Sequence, residues 1–278
     1  MRYACRALGL GLVASACLTP AAAAEIQLAA TYSLGGTRLG VGFNPATDEV
    51  FTYASFASTI QRHSRTGELL GSLPLSGAPS DDIDLEFTAA PLNLGGTALP
   101  ANTLLVINGE TSQEARALDA DGNLIAGPVT LAGSGQIVGG AHSPARDSLF
   151  TLRWNTDTII EHNPATGALL NSFSILPYDI FFGDMDILLA SGNIYLVSSF
   201  RNSIREITPT GQFVRDIDLL ALGIPTVGGI AFDDARGEAW LTSSNGNLYH
   251  LTGFDAIPTP GAMALLGVGG LMATRRRR

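Results

Sequence analysis

From residue 27 almost to residue 255, short runs of alternating apolar and polar side chains end repeatedly at turns rich in Gly, Pro, Asn, Asp and Ser. A period of two puts one set of side chains on each face of an extended strand, so these runs predict strands and not helices. The pattern repeats at a larger scale. Residues 139–173 recur 99 residues earlier, beginning at Gly40. In both copies an apolar opening meets a Pro-Ala turn (Pro45-Ala46, Pro144-Ala145), followed by alternating strands at 50–53 and 149–152. A polar loop, a strand carrying Ile60 and His63 or Ile159 and His162, and a Thr-Gly turn then lead into a Leu-Leu pair and a last strand. Each unit therefore holds four short strands.

Five such units tile the chain: 39–75, a second opening at Asp82 and closing near Leu131, 139–173, 183–219, and a fifth from Val227. The second carries an extra segment, 88–103, rich in Pro and Gly, which predicts an inserted surface loop. The fifth stops after its third strand, and residues 25–34 alternate like a strand without a unit of their own. Landmark positions Phe43, Phe87, His142, Asp186 and Phe232 lie 44, 55, 44 and 46 residues apart, and the long gap contains the insertion. Periods in the forties with four strands each predict an all-β, five-bladed β-propeller of antiparallel blades. Strand 25–34 is expected to complete the last blade, since a ring keeps two unpaired edges until one blade takes strands from both ends of the chain. A β-sandwich is the competing arrangement.

The two ends of the chain differ from this body. Residues 1–24 have a basic start (Arg2, Arg6), an apolar stretch and the small residues 21–24, the order of a secretory signal. Both cysteines, Cys5 and Cys17, fall inside it, so residues 25–255 have no thiol for a disulfide or a nucleophile. Residues 256–278 hold Pro258, Thr259 and Pro260, an apolar run, and the terminal arginines Arg275, Arg276, Arg277 and Arg278. Fourteen residues, 261–274, would span about 21 Å as a helix, short of the roughly 30 Å hydrocarbon core, which suits transient membrane contact. Between the two ends lie 10 basic and 25 acidic residues, a net charge of −15. Such a body disfavours nucleic acid and anionic membranes as partners. The chain contains no lysine, which excludes a P-loop, Schiff-base chemistry and Ser-Lys dyads.

The motif Gly229-Ile230-Ala231-Phe232-Asp233, leading to Ala239-Trp240-Leu241, resembles the exported propellers that include NHL, gluconolactonase-like and phytase-like proteins. That resemblance implies a fold and says little about substrate. The tail, with its Pro-Thr-Pro, apolar run and arginine cluster, resembles a PEP-CTERM sorting signal, although Thr259 stands where the family usually has Glu. It implies an exosortase-type sorting enzyme as partner and delivery to the outer surface or extracellular matrix.

Candidate chemistry is of two kinds. Asp82, Asp84 and Glu86, spaced two apart, share one face of a strand, with Asp184 and Asp186 in the matching part of the fourth unit. Aimed at a propeller axis they would suit calcium, and a solvated acidic rim is the plainer alternative. His63 and His162 occupy the same repeat position, which points to a shared structural role. Loops between second and third strands carry Phe56, Glu110, Arg153, Trp154, Phe200 and Arg201 on one expected face. Aromatic and arginine side chains there suit a surface polysaccharide or a protein, while Trp154 could equally cap a blade interface. The chain has neither HExxH nor GxSxG. The expected function is thus an exported, non-catalytic binding protein; the alternative is a calcium-assisted hydrolase or lactonase acting through the axial carboxylates.

Overall fold

The computed structural model describes residues 25–75, 83–109, 112–133 and 135–255. Asp82, Glu110, the signal-like segment 1–24 and the sorting-like tail 256–278 lie outside the described residues. The chain forms a five-bladed β-propeller. Strand β1 (Gln27–Ser33) precedes the first blade, β2 (Arg38–Asn44), β3 (Glu49–Ala54), β4 (Thr59–Ser64) and β5 (Leu69–Pro74). In the second blade, a hairpin of β7 (Leu92–Leu94) and β8 (Thr97–Leu99) separates β6 (Ile83–Phe87) from β9 (Leu104–Asn108), β10 (Glu114–Leu118) and β11 (Leu124–Thr130). The third consists of β12 (Ile137–Ser143), β13 (Ser148–Arg153), β14 (Thr158–His162) and β15 (Leu169–Ser174). The fourth consists of β16 (Gly183–Leu188), β17 (Asn193–Ser198), β18 (Ser203–Ile207) and β19 (Phe213–Asp218). The fifth has β20 (Gly229–Asp233), β21 (Glu238–Thr242) and β22 (Asn247–Thr252), and β1 is its fourth strand.

The first strand of each blade is innermost, and crowding there explains its composition. A Cβ on Gly42 would stand 2.7 Å from the carbonyl oxygen of Leu85 in the next blade, and one on Gly139 would stand 2.7 Å from Cα of Asp184. Side chains at these positions would force the inner strands apart. Gly139→Ala is therefore expected to cost roughly 1–3 kcal/mol of stability, by overpacking. Urea unfolding measures it, and a cost below about 0.5 kcal/mol would show that the inner strands part freely.

Apolar side chains gather between blades, where each sheet presents a buried face to its neighbour. Phe51, Tyr53 and Ile60 of the first blade meet Leu85 and Val106 of the second; Phe150 and Ile159 of the third meet Met185 and Leu196 of the fourth. Tyr195 and Val197 meet Ile230 and Leu241, and Val41 and Phe43 meet Trp240 and Leu248 across the closing seam. Outer strands are mostly exposed, as in Leu69, Leu70, Leu169 and Leu170 of the repeated Leu-Leu pairs.

Closure follows the expectation from residues 25–34. β1 runs antiparallel to β22, with Gln27 opposite Thr252, Thr31 opposite Tyr249 and Ser33 opposite Asn247. Ile26 and Leu28 pack on the core between the fourth and fifth blades, Tyr32 and Leu34 on the core at the seam. Arg65 of the first blade pairs with Asp233 at 2.7 Å and with Glu238, both in the fifth. One expectation needs correction. Segment 88–103 is no loose surface loop: Leu92, Leu94 and Leu99 of the β7–β8 hairpin are buried with Leu105, Ala115 and Val129 of the second blade. Its prolines and glycines make the turns, and its leucines do the packing.

Candidate functional site

Four of the five carboxylates expected near the axis lie among the described residues, on the innermost strands, and they are buried. Asp84, Glu86, Asp184 and Asp186 are 1–9 % exposed, so they form no solvated rim. An innermost strand pairs with its own blade along one edge only, leaving N–H groups on the other edge without a sheet partner. The acidic side chains supply one. Asp84 Oδ2 accepts from Gly140 N at 2.9 Å and Glu86 Oε1 from His142 N at 3.1 Å, joining β6 to β12. Asp184 Oδ2 and Asp186 Oδ2 accept from Ile230 N and Phe232 N at 2.9 and 2.8 Å, joining β16 to β20. The spacing of two repeats in donors and acceptors alike. The second oxygens of Asp84, Asp184 and Asp186 accept from the N–H of the following residue, at 2.6–2.7 Å.

Burial raises the pKa of all four, Asp84 to about 7 and the others well above the carboxylate range. Repulsion adds to it, Asp186 acting on Glu86 and Asp84 on Asp184; the backbone N–H bonds act in the opposite direction. Among the described residues no group of three or more His, Cys, Asp or Glu is placed to hold a metal ion. For calcium the donor type fits, but most of these oxygens already face backbone N–H groups.

The two ends of the axis differ. At the end where the inner strands finish, a cavity of about 270 Å³ is bordered by all five landmark residues, Phe43, Phe87, His142, Asp186 and Phe232, together with Glu86 and Asp234. Burial raises Asp234 to about 6 and lowers His142 to about 4, so the imidazole is neutral. His63 and His162 are structural, as their shared position suggested: each Nε2 meets a threonine hydroxyl on the neighbouring strand, Thr52 at 3.1 Å and Thr151 at 2.9 Å.

At the opposite end, where the inner strands begin, Phe56, Phe182, Leu39 and Ser199 border a second cavity. Phe181 stacks on Phe200, centroids 4.3 Å apart, and meets Trp154 and Phe182 edge-on at 5.8 and 4.4 Å. Phe56 and Phe200 remain more than 60 % exposed, an unusual cost for side chains that could have been packed. Phe56 and Phe182 also have positive φ, 58° and 44°, a strained setting for aromatic residues.

Of the residues foreseen on this face, Trp154 and Phe200 are brought together through Phe181. The arginines brace loops: Arg153 donates to the carbonyls of Gly133 and Gly135, Arg201 to that of Pro177. Phe181, Phe182, His142 and Asp234 were missed. The Phe-Phe pair just before an inner strand, and His142 at an otherwise apolar landmark, were the available signals.

No protein-family model matches the sequence, and no curated protein is similar to it in sequence. Solved structures are similar in fold. Glutaminyl cyclase of Myxococcus xanthus superposes with a TM-score of 0.59 at 16 % identity, over 84 % of this chain and 97 % of that one. A gluconolactonase of Xanthomonas campestris gives 0.53 at 14 %, over 80 % and 87 %. The PQQ-bound aldose sugar dehydrogenase of Streptomyces coelicolor gives 0.50 at 13 %, over 82 % and 98 %. These neighbours are enzymes of unlike chemistry, and at such identity the likeness extends to the β-propeller fold alone.

Proposed function

We propose that this is an exported propeller that binds an extracellular polysaccharide through the aromatic end of its axis, without catalysis. The observation that carries the reading is the exposed set Phe56, Phe182 and Phe200, backed by Phe181 and Trp154 and aimed by two strained backbones. Flat apolar rings of this kind suit the apolar faces of sugars, and the carbonyl-bound arginines keep the platform rigid. The order of residues 1–24 and 256–278 supports export and sorting by an exosortase-type enzyme, with the arginine end held temporarily at the inner membrane.

The chain has two tryptophans, and Trp240 is fully buried, so a ligand on this face will change the emission of Trp154. Chito- and cello-hexaose titrated into the body 25–255 are expected to shift that emission. Phe56→Ser and Phe200→Ser should each weaken the response at least about fivefold, with melting unchanged, since truncating an anchor costs more than about 1 kcal/mol. Hydrolysis of a lactone or ester that requires calcium and survives both substitutions would overturn the reading in favour of a calcium-assisted hydrolase.

A further inference from the structure

The cavity at the other end of the axis has walls of a different kind. Phe43, Phe87 and Phe232 form its apolar side, and Glu86, Asp186 and Asp234 give it carboxyl groups, with no arginine among the described residues of its lining. Asp186 has both oxygens on backbone N–H groups, whereas among the described residues Glu86 is bonded at Oε1 alone and Asp234 at Oδ1 alone, by Leu189 N. His142, 2 % exposed, borders the same space, and its Nδ1 is buried without a hydrogen-bond partner among the described residues. A buried polar atom left unpaired costs free energy that a ligand can recover.

The repeat adds an independent indication. In the strand register Phe43, Phe87, Ile187 and Phe232 hold equivalent positions, and the third blade carries His142 there instead. Packing alone would be served by an apolar residue in every blade. The one departure, His142, opens on the cavity and puts a polar group where the repeat calls for an apolar one.

We propose that this cavity binds a small primary ammonium compound with an apolar or aromatic substituent. The second oxygen of Asp234 supplies the anionic acceptor for the ammonium group, and the neutral imidazole of His142 borders the same space as a further acceptor. The phenylalanine rings receive the substituent and add cation–π attraction. A divalent metal fits less well, because the remaining acceptors are few and the walls are apolar. The site lies at the opposite end of the inner strands from the aromatic platform, so each can fail without the other.

The probe is 2-phenylethylamine, with 2-phenylethanol as its neutral counterpart, titrated into the body 25–255 by calorimetry at pH 7. The amine is expected to bind at least tenfold more tightly than the alcohol. Asp234→Asn keeps an acceptor for Leu189 N and should weaken the amine at least tenfold while leaving the alcohol unchanged. Ala235→Phe, at the exposed rim of the cavity, should block both, and Phe56→Ser should affect neither. Equal binding of amine and alcohol, amine binding indifferent to both Asp234→Asn and Ala235→Phe, or no amine binding at 10 mM would overturn the proposal.

Discussion

A chain lacking residues 25–34 is expected to lose its folded monomer. Those residues supply the outer strand of the fifth blade, and six of them pair with partners on β22. Ile26 and Leu28 leave one core, Tyr32 and Leu34 another, and the seam beneath Trp240 opens to water. At about 1–1.5 kcal/mol for each half-buried apolar side chain, the loss is roughly 4–6 kcal/mol before lost hydrogen bonds are counted. That is comparable with the whole stability of an ordinary domain, about 5–15 kcal/mol. The bared edge of β22 is also a template for intermolecular pairing. Gel filtration and circular dichroism should therefore find aggregate or unfolded chain, and a synthetic peptide of residues 25–35 should restore part of the fold. A truncated monomer melting like the full body would show that the ring is held shut by other contacts.

The second large effect is electrostatic. Asp84, Glu86, Asp184 and Asp186 keep their protons in the fold beyond the pH at which an unfolded chain gives them up. A raised folded pKa gives stability that is complete below the ordinary carboxylate range and is lost as pH rises through the folded value. Buried histidines work the other way. Burial lowers His142 and His162 to about 4, and their contribution grows as pH rises to about 6.5 and then stays constant. Glu161, lowered by its hydrogen bond with Arg146, contributes fully once pH exceeds the carboxylate range. Above pH 7 the axial acids thus dominate, and stability falls. Asp184→Asn removes the titrating group but keeps only one of the two acceptor oxygens, so it is expected to be less stable than the parent at pH 7 and to show a smaller loss as pH rises. Asp184→Ala instead leaves Met185 N and Ile230 N without their acceptor, at about 1–3 kcal/mol each, and should be destabilised at either pH.

The blades were legible because packing enforces them in sequence: alternation marks strands, and recurring Pro-Ala and Thr-Gly turns mark the units. The closing strand was legible by subtraction, since one unit lacked a strand and one strand lacked a unit. The hairpin within 88–103 was not, because two strands of three residues are too short to display a period, and Leu94 shows its burial only against Val129 and its neighbours. Asp84, Glu86, Asp184 and Asp186 were expected to aim at the axis, and the backbone N–H groups of the next inner strand that they meet were not foreseen. Every residue has a backbone N–H, so sequence does not mark the ones that receive Asp84 or Asp186. The same limit hid the platform. Phe181 joins Trp154 to Phe200 across two blades, a contact that depends on how adjacent sheets twist.

That the axial carboxylates act as protonated clasps between blades, and not as a calcium site, can be decided by urea unfolding of the body 25–255 at pH 7 and pH 8.5, with 1 mM calcium or with chelator. The account predicts a less stable protein at pH 8.5, a smaller difference in Asp184→Asn, and no change on adding calcium. Stability that holds or rises at pH 8.5, or that calcium restores, would contradict it.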